Sequence, residues 1–504
     1  MQGYDYIVTG AGTAGCVLAA RLSQDPAARV LLLEAGSAAR TQAMTVPAAW
    51  PENLGSAADW ADQTTSQADA GPVPYPHGRT LGGSGAINAM GHVRGHPAGY
   101  DGWAAGGADG WDFASLLPYF RRSERATAAG RDPALRGTDG PLAVAPARPG
   151  ARHPVAEAFA AALTGLGCPV TEDLSGARPE GVAWVDLAIS GGERVSSADA
   201  YLRPVLDRPN LVVETDCLVT GLDVGGGRCT GVRYVRGGQQ VAAAADREVI
   251  LCAGAIGSAL LLLLSGIGPA GQLRALGIDP VADLPGVGAN LQDHPIILLS
   301  YATQAPLPPS QYNHGEMYAA LRSTLADGRP DLHLFPILLP LAPAGCAPPG
   351  IGYTLVAAVT QPDSRGSVRL ADAAPQARPL IDPGLLADDR DLDRMEEGVR
   401  LVRRAAAQPG LAGLARAEAW PGPEVRDAAG LRGYIRRGVG SYWHPAGTCR
   451  MGRDAAAVVD PELRVHGMAG LRVADASVMP TITNAHPNAT VLAIAERAAD
   501  LMLV

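Results

Sequence analysis

Lysine is absent from this sequence, and all 41 of its basic residues are arginine. The chain therefore has no lysine to form a Schiff base, to hold phosphate in a P-loop or to act as a general base. The sequence also lacks an apolar run of membrane-spanning length. Its leucine-rich run at residues 260–264 is far too short for a bilayer and predicts part of a buried helix.

Cysteine is infrequent, and its positions show neither a CxxC pair nor a metal-ligand spacing. We therefore expect free thiols in a reducing compartment and no metal site. The sequence reaches its first predicted strand without the basic and apolar segments of a secretory signal, so we expect a cytoplasmic protein. The seven cysteines are Cys16, Cys168, Cys217, Cys229, Cys252, Cys346 and Cys449.

Positive charge is not in excess over the chain as a whole. The 50 acidic residues outnumber the basic ones, which gives a net charge of −9 and a pI near 5.6. Because no basic stripe is present, we expect no nucleic acid partner. With 504 residues and 47% hydrophobic content, the chain is long enough for two or more lobes around a sizeable core.

A glycine-rich turn stands near the N-terminus, directly after an apolar strand predicted at residues 4–9. It reads Gly-Ala-Gly-Thr-Ala-Gly from Gly10, and a helix is predicted to follow over residues 13–22. Gly10 permits the tight turn, Gly12 lets the backbone approach a pyrophosphate, and Gly15 lets helix and strand pack closely. The anion would bind to the free amides at the positive end of the helix.

A second buried strand is predicted at residues 30–33, and Glu34 follows it, nineteen residues after Gly15. A carboxylate at this place accepts hydrogen bonds from both ribose hydroxyls of a dinucleotide and would repel a ribose 2′-phosphate. Strand, turn, helix, second strand and terminal acid occur together. The combination predicts dinucleotide binding.

The second half of the chain predicts a different kind of sheet. Apolar strands at residues 296–301, 332–338 and 353–359 alternate with proline-rich loops, which indicates an antiparallel sheet in a substrate-facing lobe. A strand at residues 471–475 and a helix at residues 490–503 would then rejoin the nucleotide lobe. We therefore predict that both ends of the chain meet and that its domains are discontinuous.

The region between these parts predicts shorter elements. The proline- and glycine-rich residues 71–95 are predicted to be loop. Short strands are predicted at residues 231–235 and 241–244, and a separate buried strand at residues 248–254. Further predicted elements are a strand at 211–213 and helices at 113–122, 151–166, 258–264 and 388–407.

Five further segments carry glycine, histidine and acid motifs: 78–88 (GRTLGGSGAIN), 254–268, 286–294 (GVGANLQDH), 441–448 (SYWHPAGT) and 473–477 (VADAS). Together with the N-terminal turn they resemble the glucose–methanol–choline (GMC) oxidoreductases, a family of FAD-dependent alcohol oxidases and dehydrogenases. The resemblance covers nearly the whole chain. It implies an α/β (α+β overall) fold with a Rossmann-like FAD-binding domain formed by residues 1–145, 193–298 and 440–504. It also implies a discontinuous substrate-binding domain, residues 146–192 and 299–439, built on an antiparallel sheet with helices.

The resemblance implies FAD as the cofactor. Glycines in the loop at residues 82–85 expose backbone amides to an extended ligand, and Asn88 offers both a donor and an acceptor. In some relatives a histidine at the position of Asn88 carries the flavin covalently; asparagine cannot, so we expect non-covalent FAD. The implied cofactor residues are Gly10, Gly12, Thr13, Ala14, Gly15, Glu34, Ala35, Arg79, Leu81, Gly82, Gly83, Ser84, Asn88, Ala89, Val219, Ala253, Gly254, Asp475, Ala476, His486, Asn488 and Ala489.

Alcohol oxidation requires removal of the hydroxyl proton while a hydride leaves the carbon, and imidazole has a suitable pKa for that proton. By the resemblance, His444 is predicted to be the base or to hold the alkoxide. His486 falls at the second catalytic position, which is histidine or asparagine in relatives, and is predicted to orient the substrate oxygen. The sequence leaves open which of the two carries the proton. We expect structural roles for His77, His92, His96, His294, His333 and His466.

The sequence says less about the substrate. We expect a primary or secondary alcohol, and dioxygen or another electron acceptor; the oligomeric state stays open. The predicted pocket residues are Trp443, Tyr312 and Phe335, with Trp60, His314, Glu316 and Tyr353 as weaker candidates. Four phenylalanines and 5% aromatic residues give little material for an aromatic cage around a quaternary ammonium.

Three alternative functions remain at this point. The flavin could stay oxidised throughout in a lyase-like reaction, the turn could bind NAD in a dehydrogenase, or the protein could bind flavin without catalysis. An NAD-dependent dehydrogenase would leave the C-terminal motifs without a role.

Overall fold

The structure, a computed structural model, describes residues 3–503, and helices and strands alternate along them. The helices are α1 (Thr13–Leu22), α2 (Gln42–Thr45), α3 (Ser84–Ile87), α4 (Pro97–Ala105), α5 (Phe113–Ser123), α6 (Pro154–Gly165), α7 (Gly254–Leu264), α8 (Ala270–Ala275), α9 (Asp389–Ala406), α10 (Pro409–Ala412), α11 (Ala428–Gly438) and α12 (Pro487–Leu503). Proline opens α4, α6, α10 and α12, where its missing N–H costs no intrahelical hydrogen bond.

The strands of the described chain form several sheets. In chain order they are β1 (Gly3–Thr9), β2 (Val30–Leu33), β3 (Asp62–Gln67), β4 (Gly71–Tyr75), β5 (Gly91–His92), β6 (Glu124–Ala126), β7 (Leu142–Pro146), β8 (Gly181–Trp184), β9 (Asp186–Leu187), β10 (Ile189–Ser190), β11 (Glu193–Arg194), β12 (Leu211–Glu214), β13 (Cys217–Gly225), β14 (Arg228–Arg236), β15 (Gln239–Leu251), β16 (Ile267–Gly268), β17 (Ala282–Asp283), β18 (Ala289–Leu291), β19 (Pro295–Thr303), β20 (Met317–Leu321), β21 (Leu332–Ile337), β22 (Gly352–Val359), β23 (Gly366–Arg369), β24 (Leu380–Asp382), β25 (Ala415–Trp420), β26 (Gly440–Ser441) and β27 (Leu471–Val473).

A seven-stranded sheet brings both ends of the chain together, in the order β12-β2-β1-β15-β14-β13 with β27 beside β15. β1 is parallel to β2 and β15, and β15 is parallel to β27, so these strands end at one edge of the sheet. The glycine-rich turn leaves β1 at that edge. Helices α1 and α12 pack in the same apolar core and are joined by the ion pair of Arg21 and Glu496 (2.7 Å). The predicted meeting of head and tail is confirmed.

A second seven-stranded sheet is antiparallel and has the order β25-β19-β22-β21-β20-β8, with β26 beside β19. Side chains along each strand alternate between its two faces. In β21, Leu332 and Leu334 belong to the core that includes α6 and α9. His333 and Phe335 point to the opposite face, where Tyr318 of β20 contacts both rings. This second face of the sheet carries part of the candidate site.

A smaller sheet connects distant parts of the sequence. It has five strands in the order β18-β23-β24-β3-β4. It therefore joins residues 62–75 to residues 366–382, which the domain prediction assigned to different domains. The predicted division thus runs through a shared sheet at this point.

Two sequence predictions in the first half were wrong. The predicted loop at residues 71–95 contains β4, α3 and β5. The strands predicted separately at residues 241–244 and 248–254 are one strand, β15, since β14 pairs with its first half and β1 with its second half. Asp246 and Arg247 interrupt the apolar pattern there, but the backbone ladder continues past them. Residues 239–251 form one strand because of pairing with neighbouring strands, which the sequence of a single segment does not reveal.

None of the helices described between residues 3 and 503 is long and apolar enough to cross a membrane. The seven cysteines, all within this range, are free thiols.

Candidate active site

The glycine-rich turn is packed so closely that side chains would not fit. A Cβ on Gly10, whose φ is +96°, would lie 2.7 Å from the carbonyl oxygen of Cys252, and one on Gly15 would lie 1.9 Å from that of Gly10. The second glycine loop touches the first, because a Cβ on Gly83 (φ +54°) would lie 2.7 Å from Cα of Gly12. Two segments predicted to bind the cofactor therefore form one surface of bare backbone.

Glu34 is buried at the end of β2, beside this turn. Its Oε2 accepts a hydrogen bond from the amide of Ala11 (2.9 Å), and its Oε1 accepts one from the amide of Gly36 (2.8 Å). Burial raises the pKa of this carboxyl to about 7, against the opposing effect of those amides. Each carboxylate oxygen has a further lone pair, so both can still accept a ribose hydroxyl.

The C-terminal segment completes the same surface. Asp475 follows β27, and its Oδ2 accepts hydrogen bonds from the amide of Gly254 (2.9 Å) and the hydroxyl of Ser258 (2.5 Å). Asn488, in the first turn of α12, accepts a hydrogen bond from the hydroxyl of Thr13 in α1 (2.7 Å). The tail is thus fixed directly against the nucleotide turn.

Asn88 directly follows α3 and is the last residue of the glycine motif at residues 78–88. Its Oδ1 accepts hydrogen bonds from the amide of Met90 (2.9 Å) and from Nη1 of buried Arg194 (2.8 Å). Asn88, Ser197 and Asn488 line one small cavity. Bare glycine backbone and a buried acid with free lone pairs fit an extended, polar ligand such as FAD.

The predicted cofactor residues occupy the carboxyl edge of the first sheet and the loops around it. They lie in the turn and the start of α1 (Gly10, Gly12, Thr13, Ala14, Gly15), after β2 (Glu34, Ala35), around α3 (Arg79, Leu81, Gly82, Gly83, Ser84, Asn88, Ala89), in β13 (Val219), at the end of β15 (Ala253, Gly254), after β27 (Asp475, Ala476) and at the start of α12 (His486, Asn488, Ala489). Val219 is placed near Glu34 by the hydrogen bond from the Cys217 amide to the Glu34 carbonyl (2.8 Å).

His444 and His486, predicted from distant parts of the tail, lie together. Their ring centroids are 5.2 Å apart at an interplanar angle of 75°. Nδ1 of His444 also lies 3.0 Å from Nδ1 of His294, with the two rings nearly perpendicular. His444 is partly exposed, whereas His294 is fully buried. Three imidazoles therefore form one cluster.

Asp293 holds two segments of this cluster together. Its Oδ1 accepts hydrogen bonds from the amides of His294 (2.7 Å) and His444 (2.9 Å), and its Oδ2 accepts one from the hydroxyl of Ser441. Trp443, next to His444, has φ of +62°, an uncommon conformation for a bulky residue. This backbone geometry, fixed by the carboxylate, sets the position of the His444 ring.

The histidines of the cluster are neutral near pH 7. Burial, followed by the neighbouring imidazoles of His294, His486 and His333, lowers the pKa of His444 well below its ordinary value. Burial lowers the pKa of His486 to about 4 and that of His294 to about 3. Burial also lowers the pKa of His333 well below its ordinary value. The site therefore offers nitrogen lone pairs rather than positive charge.

Aromatic rings form the wall beside the imidazoles. Tyr442 stacks on His444 with centroids 4.3 Å apart, and Phe335 stacks on the other face of Tyr442 at 5.0 Å. Tyr318 lies 4.9 Å from His486. Phe335, a predicted pocket residue, is thus brought to the cluster.

The other predicted pocket residues lie farther from the imidazoles. The indole of Trp443 donates a hydrogen bond to the carbonyl of Pro74 (3.2 Å) and contacts Trp50. The hydroxyl of Tyr312 accepts a hydrogen bond from the amide of Arg148 (3.1 Å), at the margin of the aromatic wall.

The weaker candidates are engaged elsewhere. Trp60 stacks on His77, and His314 contacts the carbonyl of Ala48. Glu316 accepts from the amide of His153, and Tyr353 stacks on Tyr301 in the core on the opposite face of the second sheet. The expectation that Tyr353 lines the pocket is therefore wrong.

Sequence reasoning missed several side chains of the cluster. His294 and His333 were expected to have structural roles. Tyr442 belongs to the motif at residues 441–448, but no role was predicted for it. Arg194 and Ser197 also escaped notice beside Asn88. The alternation of β21 gave a usable signal for His333, because its odd-numbered neighbour Phe335 was already predicted to face the pocket.

In the described part of the chain, no group of three or more His, Cys, Asp and Glu side chains is arranged to hold a metal ion.

Two family profiles, both described as GMC oxidoreductase, match residues 4–296 and 362–495. The chain belongs to the GMC oxidoreductases. It is 39% identical to the mitochondrial choline dehydrogenase of Homo sapiens, over 99% of this chain and 89% of that protein. It is 36% identical to the alcohol dehydrogenase (acceptor) of Pseudomonas putida, over 99% of this chain and 96% of that protein.

A solved structure of another enzyme has the same fold over nearly the whole chain. The crystal structure of pyridoxine 4-oxidase from Mesorbium loti matches with a TM-score of 0.93 and 37% sequence identity, over 99% of this chain and 98% of that one. The predicted family, fold class and enzyme class, a GMC-type FAD-dependent alcohol oxidase or dehydrogenase, are confirmed.

Proposed function

We propose that this GMC enzyme oxidises a primary or secondary alcohol to a carbonyl compound, with His444 as the base. FAD, when bound, supplies the acceptor for the hydride that leaves the alcohol carbon. The hydroxyl proton passes to Nε2 of His444. The carbonyl product forms as the alcohol loses this proton and the hydride. One observation carries the proposal: the partly exposed ring of His444 lies in one cluster with His486 and His294.

His294 supports the choice of Nε2 on His444. The main-chain carbonyls of Thr360 and Thr483 act on the His294 ring as hydrogen-bond acceptors and raise its pKa against the effect of burial. Nδ1 of His294 faces His444, so only Nε2 remains for these carbonyls. The contact is loose, because in residues 3–503 this buried Nε2 makes no well-aligned hydrogen bond.

This arrangement leaves Nδ1 of His294 as an acceptor for the Nδ1–H of His444 (3.0 Å). His444 is neutral and carries one ring proton, so its Nε2 holds the lone pair. His486, 5.2 Å away, would then orient the oxygen of the alcohol. The proposal thus gives the proton to His444 and the orienting role to His486.

We further propose that the FAD is bound without a covalent bond. Asn88 replaces the attachment histidine of some relatives, and its amide oxygen is already held by Arg194 and Met90. Glu34 would hold the ribose, and the backbone of the two glycine loops would hold the pyrophosphate. Acid precipitation of the yellow holoenzyme should release the flavin into the supernatant, whereas a yellow pellet would indicate a covalent bond.

The division into domains and the cellular location are also proposals. The first sheet with the nucleotide turn supports a FAD-binding domain, and the second sheet with His333 and Phe335 supports a substrate-binding domain. The cytoplasm remains our proposed location, although the human relative is named mitochondrial. The proposed electron acceptor is dioxygen or another oxidant.

Anaerobic mixing of the holoenzyme with an alcohol panel tests the function. The panel includes choline and pyridoxine, which the names of two relatives suggest. We expect at least one alcohol to bleach the oxidised flavin band. If strong chemical reductants bleach the flavin but no alcohol of a broad panel does, the proposed reaction is wrong. Oxygen consumption in the same panel then separates an oxidase from a dehydrogenase.

A further inference from the structure

A single side chain contacts both imidazoles proposed to act on the alcohol. The hydroxyl oxygen of Tyr442 lies 3.2 Å from Nε2 of His486. The ring of the same residue stacks on His444, with centroids 4.3 Å apart and an interplanar angle of 27°. Phe335 stacks behind it at 13°, so Tyr442 is held between two rings and has little freedom to turn.

The two nitrogens of His486 have different surroundings. Nε2 faces Tyr442 and the backbone of Gly91, where an added Cβ would lie 3.4 Å from that nitrogen. Nδ1 is buried, and among the described residues it has no hydrogen-bond partner. Nδ1 is therefore the nitrogen left for a molecule bound in the site.

The direction of the hydrogen bond follows from acid strength. Burial, followed by the neighbouring Tyr318, whose hydroxyl is hydrogen-bonded to that of Tyr442, raises the pKa of Tyr442 well above its ordinary value, so its hydroxyl keeps its proton at neutral pH. The His486 ring is neutral and carries a single N–H. A phenol is a stronger acid than a neutral imidazole N–H, and an imidazole nitrogen is a stronger base than a phenol oxygen. Nε2 is for the same reason a better acceptor than the Tyr318 hydroxyl, so the Tyr442 hydroxyl donates to Nε2 and accepts from Tyr318, and the ring proton of His486 resides on Nδ1.

We propose that Tyr442 is a positioning residue that fixes the tautomer of His486, so that Nδ1–H is presented to the oxygen of the alcohol. The inference rests on the proposed function. It gives the pair complementary roles, since His444 presents a lone pair on Nε2 while His486 presents a proton on Nδ1. Removing a hydroxyl proton and holding the resulting oxygen requires one of each.

Nitrogen NMR of the resting holoenzyme tests the tautomer without any turnover. The protein is labelled with 15N-histidine, and His486→Asn identifies the signals of that ring. We expect a protonated Nδ1 and a bare Nε2 in the wild type, and a shift toward protonated Nε2 in Tyr442→Phe. Tyr353→Phe, which removes a buried hydroxyl from the core on the opposite face of the second sheet, is the matched control and should leave the tautomer unchanged. A protonated Nε2 in the wild type, or no change in Tyr442→Phe, overturns the proposal.

Amide replacements of His486 give an independent test should Tyr442→Phe fail to fold. The asparagine amide lies where Nδ1 lies, whereas the glutamine amide reaches the place of Nε2. We expect His486→Asn to reduce its flavin with alcohol at least about tenfold faster than His486→Gln, the rate equivalent of one hydrogen bond to the reacting oxygen. Equal rates, or a faster glutamine variant, would contradict the role of Nδ1. If none of the alcohols tested reduces the flavin of the wild type, the proposed function fails. The NMR result still decides the tautomer in that case.

Discussion

At the scale of single residues, the site depends on imidazoles that stay neutral because they are buried together. His444 and His486 carry the proposed chemistry, and His294 and Tyr442 each occupy one nitrogen of these rings. In the proposed mechanism, each of the two rings therefore has one nitrogen bound to the protein and one left for the substrate. This is how two identical side chains can take opposite roles.

The pH dependence of flavin reduction follows from the lowered pKa values. His444 must be unprotonated to accept the hydroxyl proton, and its pKa lies well below 6.5. The rate of reduction by alcohol should therefore be lost only as the pH falls below 6.5, with an apparent pKa that belongs to the cluster. His486→Asn removes a neighbour that lowers this pKa, so the acid limb should move to higher pH. A limb centred at or above pH 6.5 in the wild type, measured by anaerobic stopped flow, would contradict this assignment.

Residue patterns predicted some of the site and missed the rest for an identifiable reason. Gly10, Glu34 and Asn88 belong to local motifs, and their neighbours in sequence are also their neighbours in space. The contact of His294 with His444 joins residues 150 positions apart. It depends on the pairing of β19 with β26, in which Pro295 faces Ser441, and on the shared carboxylate of Asp293. No local pattern encodes that pairing.

At the scale of elements, the proposed cofactor surface is made by two glycine loops in contact. α1 and its turn were predicted with the correct bounds, since strand, turn and helix follow one another directly. β13 and β20 were not predicted, although both lie in the large sheets. β13 pairs with β14 at the edge of its sheet, and β20 lies between β21 and β8. Such pairing often overrides the local sequence preference.

Gly83→Ala tests the contact between the loops. The new Cβ would lie 2.7 Å from Cα of Gly12, and neither backbone can move without opening the cofactor surface. We expect FAD affinity to fall by about tenfold or more, which corresponds to about 1.4 kcal/mol. Fluorescence titration of the apoprotein with FAD measures the change.

Gly226→Ala is the matched control for that variant. Gly226 also has a positive φ (+58°), but in the described structure an added Cβ there meets nothing within 4 Å. The Gly226→Ala variant should be less stable because alanine is strained at a positive φ, and it should keep its FAD affinity. Equal affinity losses in both variants would show that backbone strain, and not contact between the loops, limits FAD binding.

At the scale of the whole molecule, the head and the tail of the chain form one unit. β27 completes the sheet begun by β1, and α12 packs against α1. The buried carboxylate of Glu496 accepts hydrogen bonds from Nε (2.9 Å) and Nη2 (2.7 Å) of Arg21 and from the hydroxyl of Tyr201 (2.8 Å). Motifs at both ends of the chain predicted that the ends meet. The role of Glu496 in joining them was not predicted, because the helix was identified only by its apolar residues.

Glu496→Gln should loosen this joint. The variant keeps the size of the side chain but loses the charge that pairs with Arg21, so we expect a loss of about 2 kcal/mol in the free energy of unfolding. Glu462→Gln removes an exposed ion pair with Arg464 and should change stability by less than about 1 kcal/mol. Denaturant unfolding of the two holoenzymes compares them. Similar small losses would mean that the α1–α12 contact does not depend on the buried carboxylate.

The most direct test of the central claim is the rate at which alcohol reduces the flavin in His444→Ala. The variant should keep its yellow FAD, because His444 lies outside the predicted cofactor residues, and its reduction rate should fall by about 10²–10⁴-fold. His466→Ala, which changes a histidine whose Nε2 contacts the carbonyl of Gly452, should reduce at the wild-type rate. If His444→Ala is reduced as fast as the wild type, His444 is not the base, and the account of the site is wrong.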